Sequence, residues 1–136
     1  MLPALLAAAA MTTALASTPC PADLSLAEPR LKVVRAADRA MDNYVVTVNV
    51  KNRGNGGQTP DVEQHLELLR EGAVIGSQPI PPLGPNQEYI AAFRLQLPHA
   101  SKRPPFTVTF HYVLDSKGQA ARNNCSSAND RLTVTL

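Results

Sequence analysis

Residues 106–114 read FTVTFHYVL. Phe106, Val108, Phe110, Tyr112 and Leu114 alternate with Thr107, Thr109 and His111. Successive side chains point to opposite faces only in an extended chain, so this period of two predicts a half-buried β-strand. YVVTVNV repeats the pattern, with Tyr44, Val46, Val48 and Val50 on one face and Thr47, Asn49 and Lys51 on the other. In VEQHLELL, Val62, Leu66 and Leu68 oppose Glu63, His65 and Glu67. EYIAAFRLQL turns Tyr89, Ala91, Phe93, Leu95 and Leu97 inward, and LTVTL does the same with Leu132, Val134 and Leu136. Two further strands complete the set. ADLSLAEPRLKVV is interrupted near Pro29, and AVIGSQPI carries Pro79, which marks a sheet edge because proline cannot donate a ladder bond. Arg70, Glu71 and Gly72 form the short hairpin loop between the third and fourth strands.

Seven short strands separated by turn signals, with no long amphipathic helix, predict an all-β, seven-stranded immunoglobulin-like β-sandwich. The 12 prolines agree with a chain rich in edges and loops, and 136 residues suit one domain.

The first 16 residues stand apart. Residues 2–16 carry no charge and are mostly Leu and Ala, and Ala14-Leu15-Ala16 has the form of a signal-peptidase site. The expectation is a signal peptide over residues 1–16 and one sandwich domain over residues 17–136. The usual basic residue before the apolar run is missing. The run is also short of the roughly 20 apolar residues that a membrane helix needs. A periplasmic or secreted chain follows, without a membrane span after cleavage. Pro19 before Cys20 argues against lipid attachment. In an oxidising compartment the two cysteines, Cys20 and Cys125, are expected to pair.

The glycines of VKNRGNGG, residues 50–57, raise the question of a phosphate loop. No Gly-Lys-Ser/Thr follows Gly54, and Thr59 stands where a dinucleotide fingerprint needs its third glycine. Gly76-Ser77-Gln78 is not a nucleophile elbow. The 13 basic and 11 acidic residues are interspersed and the net charge is only +2, so no nucleic-acid partner is expected. His65 and His111 can meet across a sheet near Glu63 or Glu67, but no ligand spacing accompanies them, and solvent-facing histidines are the plainer account. Asp115 and Asp130 bracket the last loop, where Asn123, Asn124, Ser126 and Asn129 offer oxygens for calcium. Turn chemistry explains the same residues, and neither a metal nor a cofactor is expected.

The order of motifs resembles CARDB, the cell adhesion related domain found in bacteria. The matching stretches are Asp23-Leu24, VTVNVKNRGNGG at 46–57, LLREGAVIGSQPIPPLGPNQ at 68–87, FTVTFHYVLD at 106–115, then Asn129 and RLTVTL. Two departures stand out. Asn86 replaces a glycine of the family's turn, and AARNNCSSAND replaces an acidic stretch. The resemblance implies an immunoglobulin-like fold and a binding or scaffolding role without catalysis.

Strand parity places the loops NRGNGG, PPLGPNQ and SKGQAARNNCSSAND at the end where the first strand starts, together with both cysteines. Sandwich domains commonly bind through such loops. Arg53, Asn55, Lys117, Arg122, Asn123 and Asn124 are the candidate contact residues, for a protein or a glycan. The rival expectation is a periplasmic assembly or inhibitor protein that binds by strand addition at the edge 73–80.

Overall fold

The computed structural model describes residues 21–36, 40–99 and 105–136. The expected signal peptide and Cys20 lie outside them. Seven strands form two antiparallel sheets. They are β1 (Leu24–Ala36), β2 (Met41–Asn52), β3 (Gln64–Arg70), β4 (Ala73–Pro79), β5 (Glu88–Pro98), β6 (Thr107–Leu114) and β7 (Arg131–Thr135). One sheet has the order β1-β2-β5 and the other β4-β3-β6-β7. A 3-10 turn, Lys117–Gln119, and a single helical turn, Ala120–Asn123, interrupt the last connection.

The inward alternation builds the core as its sequence predicts. Val46, Val48 and Val50 of β2 pack with Leu66 and Leu68 of β3, Phe93 of β5, and Val108, Phe110 and Tyr112 of β6. The rings of Phe93 and Phe110 lie 6.3 Å apart and tilted. Each buried aliphatic or aromatic side chain contributes roughly 1.5–3 kcal/mol of transfer free energy.

Local chemistry accounts for the irregularities. β1 runs through Pro29 with a shift of register between Ala27 and Arg30, and Glu28 takes φ 55°. Arg70 pairs with Ala73, so the hairpin loop has two residues rather than the expected three. Glu71 and Gly72 take φ values of 53° and 80°, the doubly positive pattern of a type I′ turn, whose twist matches that of the strands it joins. Asn86, where the CARDB turn has glycine, takes φ 62°. Asparagine tolerates that region better than other non-glycine residues, so the turn keeps its shape.

Pro79 ends an edge strand, as its chemistry requires. The edge is not bare. The Gln78 side chain accepts the backbone N–H of Ala92 in β5 at 3.0 Å and donates to the Tyr89 hydroxyl at 2.7 Å. One amide thus ties β4 to the neighbouring sheet.

Candidate interaction surface at the loop end

The loops at 53–63, 80–87 and 115–130 meet at one end of the sandwich, around the segment that leads into β1. Arg53 N–H donates to Asp23 O at 2.7 Å, and Gly56 N–H to Pro21 O at 2.6 Å. Gln58 N–H donates to Leu83 O at 2.9 Å, and Cys125 N–H to Ala22 O at 3.0 Å. The parity expected from seven strands is therefore met for the described residues.

Asn52 organises this end. It is fully buried at the last position of β2. Its Oδ1 accepts the N–H groups of Asp23 (3.1 Å) and Gly54 (2.9 Å). Its Nδ2 donates to Gly56 O (2.9 Å) and Leu83 O (3.1 Å). All four hydrogen-bonding sites of one amide are used, so a polar group sits in the interior without a desolvation penalty left uncompensated.

A second knot lies deeper. Gln58 and Gln64 exchange reciprocal amide hydrogen bonds at 2.7 and 2.8 Å. The Tyr112 hydroxyl donates to Gln64 Oε1, and burial pushes its phenol pKa up. Gln58 Nε2 also donates to the carbonyl of Asn123 at 2.9 Å.

The glycines of residues 54–57 do not use glycine's freedom to take positive φ. Among the described residues, only Gly72 is a glycine with positive φ. A Cβ on Gly54 would sit 2.5 Å from Ala22 Cα and 2.6 Å from Pro21 O. Gly54 is needed because another backbone passes against it.

The candidate contact residues divide. Arg53, Asn55 and Arg122 are exposed. Arg53 is steadied by its Nε bond to Ser25 Oγ at 2.7 Å. Lys117 begins the 3-10 turn at the same end. Asn123 and Asn124 do not belong with them, because both are buried. Asn123 Oδ1 accepts Thr59 N–H at 2.8 Å, and its Nδ2 donates to Gln119 at 2.9 Å. Asn124 Oδ1 accepts Leu24 N–H at 3.1 Å. These asparagines hold the loop from within and present no contact surface. Sequence spacing conceals that, because their partners lie 64 and 100 residues away.

A cleft of about 330 Å³ opens at this end between Thr59, Asp61, Gln119 and Arg122. Hydrogen bonds from Thr59 and Gln119, then the Arg122 charge, hold the Asp61 carboxyl below its ordinary value. Both signs of charge therefore border the cleft. Arg131, the first residue of β7, lines a separate cleft of about 540 Å³ with Arg70, Thr107 and Thr109. The Arg70 guanidinium lies 5.4 Å from the Phe106 ring centre there.

The histidines do meet across the four-stranded sheet. Glu67 and His111 are register partners. Glu67 receives His111 Nδ1 at 3.3 Å and His65 Nε2 at 3.5 Å, and His65 Nδ1 lies 2.8 Å from Asp115. Among the described residues, no group of three or more His, Cys, Asp or Glu side chains is arranged to hold a metal. Asp115 is thereby paired with His65. Asp130 receives Asn124 Nδ2 at 2.8 Å, and Asn129 Nδ2 donates to Asp23 at 3.2 Å. Burial, only partly offset by the Asn124 hydrogen bond, and then the charge of Asp23, raise the Asp130 carboxyl above its ordinary value.

No protein-family model and no curated relative matches the chain. Solved structures do. The crystal structure of a CARDB domain from Pyrococcus furiosus, in complex with di-metal ions, superposes with a TM-score of 0.58 at 18% identity, covering 88% of this chain and 96% of that one. The solution structure of the same domain gives a TM-score of 0.52 at 17% identity, covering 85% and 93%. The fold is thus similar to that of CARDB domains over most of the chain, in agreement with the resemblance carried by its motifs.

Proposed function

We propose that this CARDB-like sandwich is an exported, non-catalytic binding module of the bacterial cell envelope, periplasmic or secreted, whose loop end contacts a protein or glycan. The observation that carries the reading is the locked loop end itself. Buried Asn52 fixes three backbone segments, Arg53 and Asn55 stay exposed in the loop that follows it, and Arg122 is exposed at the border of a cleft that carries both charges. A rigid platform with free polar tips binds without a large ordering cost. Residues 1–16 act as the signal peptide in this reading, and among the described residues no helix is long and apolar enough to cross a membrane.

Cys20 and Cys125 form a disulfide that staples the start of the domain to its last loop. The hydrogen bond from Cys125 to Ala22, two residues beyond Cys20, supports that pairing.

Reversing the charge of Arg53 and Arg122 together tests the contact surface. Recovery of a specific envelope partner by the wild type, and its loss in the double variant with the melting temperature unchanged, supports the reading. Equal recovery by both proteins overturns it.

The edge-strand alternative rests on Val74 and Ile75 of β4, which are exposed. An Ile75→Lys variant that loses the partner while the Arg53/Arg122 variant keeps it would favour strand addition. The di-metal complex of the Pyrococcus furiosus domain also makes cation binding a question for this chain. The donor set that bears on it is Asp23, Asn129 and Asp130.

A further inference from the structure

Asp23 leads into β1, and Asn129 and Asp130 close the connection before β7. Hydrogen bonds from Asn129 to Asp23 and from Asn124 to Asp130 bring the three together, and Asn124 joins both halves by accepting the Leu24 N–H. These bonds leave Asp23 Oδ1 and Asn129 Oδ1 buried without a hydrogen-bond partner. A buried acceptor left without a donor has lost its hydration with nothing in return, so two in one place call for an explanation.

Charge deepens the problem. Asp23 acts unfavourably on Asp130. Among the described residues, no lysine or arginine forms an ion pair with either carboxylate. His111, on the outer face of β6, acts on Asp130 in the opposite sense, as the smallest of the influences there. Turn chemistry accounts for an Asn-Asp pair at the end of a loop, but not for two orphaned oxygens beside two carboxylates.

We propose that Asp23, Asn129 and Asp130 form a site for a single hard divalent cation, calcium by preference. The donors are all oxygens, the ligand type that calcium and magnesium select. Calcium takes about six to eight oxygens, so water completes the shell around these three side chains. A site so sparsely supplied by protein belongs with the weak extracellular class, with Kd on the order of 10⁻⁴–10⁻³ M. The cation joins the segment entering β1 to the last loop. The site is independent of the partner reading, since a module can bind calcium here and no partner at its loops, or the reverse.

The test uses the purified full chain, stripped with chelator and melted with and without ~5 mM calcium chloride, with sodium chloride matched for ionic strength. Calorimetric titration with calcium and with magnesium gives the affinities. Calcium is expected to raise the melting temperature beyond the sodium control. Asp23→Asn and Asp130→Asn are expected to weaken it at least ~10-fold, while Asp115→Asn leaves it unchanged. Without calcium, Asp130→Asn should melt at or above the wild type, because it removes the repulsion from Asp23. With calcium that order should invert, which the loss of a merely structural residue does not produce. A calcium response no larger than the sodium control, or one that survives both substitutions, overturns the proposal and leaves water as the partner of the orphaned oxygens.

Discussion

Cys125 donates its backbone N–H to the carbonyl of Ala22 at 3.0 Å, across a separation of 103 residues in the chain (125 minus 22). That bond brings the last loop beside the segment that Cys20 precedes. Reduction, or Cys125→Ser, is therefore expected to destabilise the protein. A closed loop of about 100 residues contributes up to ~4.7 kcal/mol in the chain-entropy account, and measured effects are usually smaller. Urea unfolding with and without reductant checks this. Identical midpoints would remove the disulfide from the description.

Gly54 should be intolerant of even one methyl group. The Cβ of alanine meets the backbone of Pro21 and Ala22 at 2.5–2.8 Å, which a rotamer change cannot relieve. Gly54→Ala is expected to cost about 1–3 kcal/mol through overpacking. Gly118, with nothing within 4 Å of its added Cβ, supplies the control: Gly118→Ala should change the denaturation midpoint little.

Asn52 carries four hydrogen bonds, so its removal leaves two N–H groups and two carbonyls to find new partners. Asn52→Ala should destabilise by about 3 kcal/mol or more. Asn52→Asp should fare no better, because a carboxylate cannot donate to Gly56 O and Leu83 O. Amide exchange would localise the loss, with Asp23 and Gly54 losing protection first.

His65 makes stability depend on pH. Burial pulls its pKa down, but the hydrogen bond and charge of Asp115, then those of Glu67, outweigh it and hold the value above the ordinary 6.5. A raised pKa in the folded state means that folding favours the protonated ring. The contribution is complete below about pH 6.5 and is lost as pH rises through the folded-state value. Melting temperatures between about pH 5 and about pH 9 should show this decline, and His65→Gln should flatten it. A wild-type profile indistinguishable from the variant's would remove His65 from the account.

The framework was legible because the core strands alternate strictly. β2 presents Tyr44, Val46, Val48 and Val50 inward between two buried polar ends, Asp42 and Asn52, and β6 presents Val108, Phe110 and Tyr112, a period of two that only a strand satisfies. The loop end was legible only in outline. Parity placed the loops together, yet it could not show that Asn123 and Asn124 turn inward. Gln64 interrupts the inward row of β3 with a polar residue, and its partners, Gln58 and Tyr112, are visible only after folding. Asp23 read as the start of a strand, and its neighbours Asn129 and Asp130 lie more than 100 residues away in the chain. Gly54 misled in a different way. Its glycine-rich surroundings raise the question of a phosphate loop, whereas its reason is the passage of another backbone, which no local pattern records.

The Gln78 amide that spans β4 and β5 bears on what happens when many copies crowd together. An open strand edge is a template for polymerisation, and β5 carries exposed Ile90 close to such an edge. By occupying the Ala92 N–H, Gln78 removes one rung from that template, and Pro79 beside it cannot donate another. The β5 edge thereby offers one donor fewer to a second copy. Gln78→Val should therefore aggregate more readily than the wild type as concentration rises, which light scattering would read.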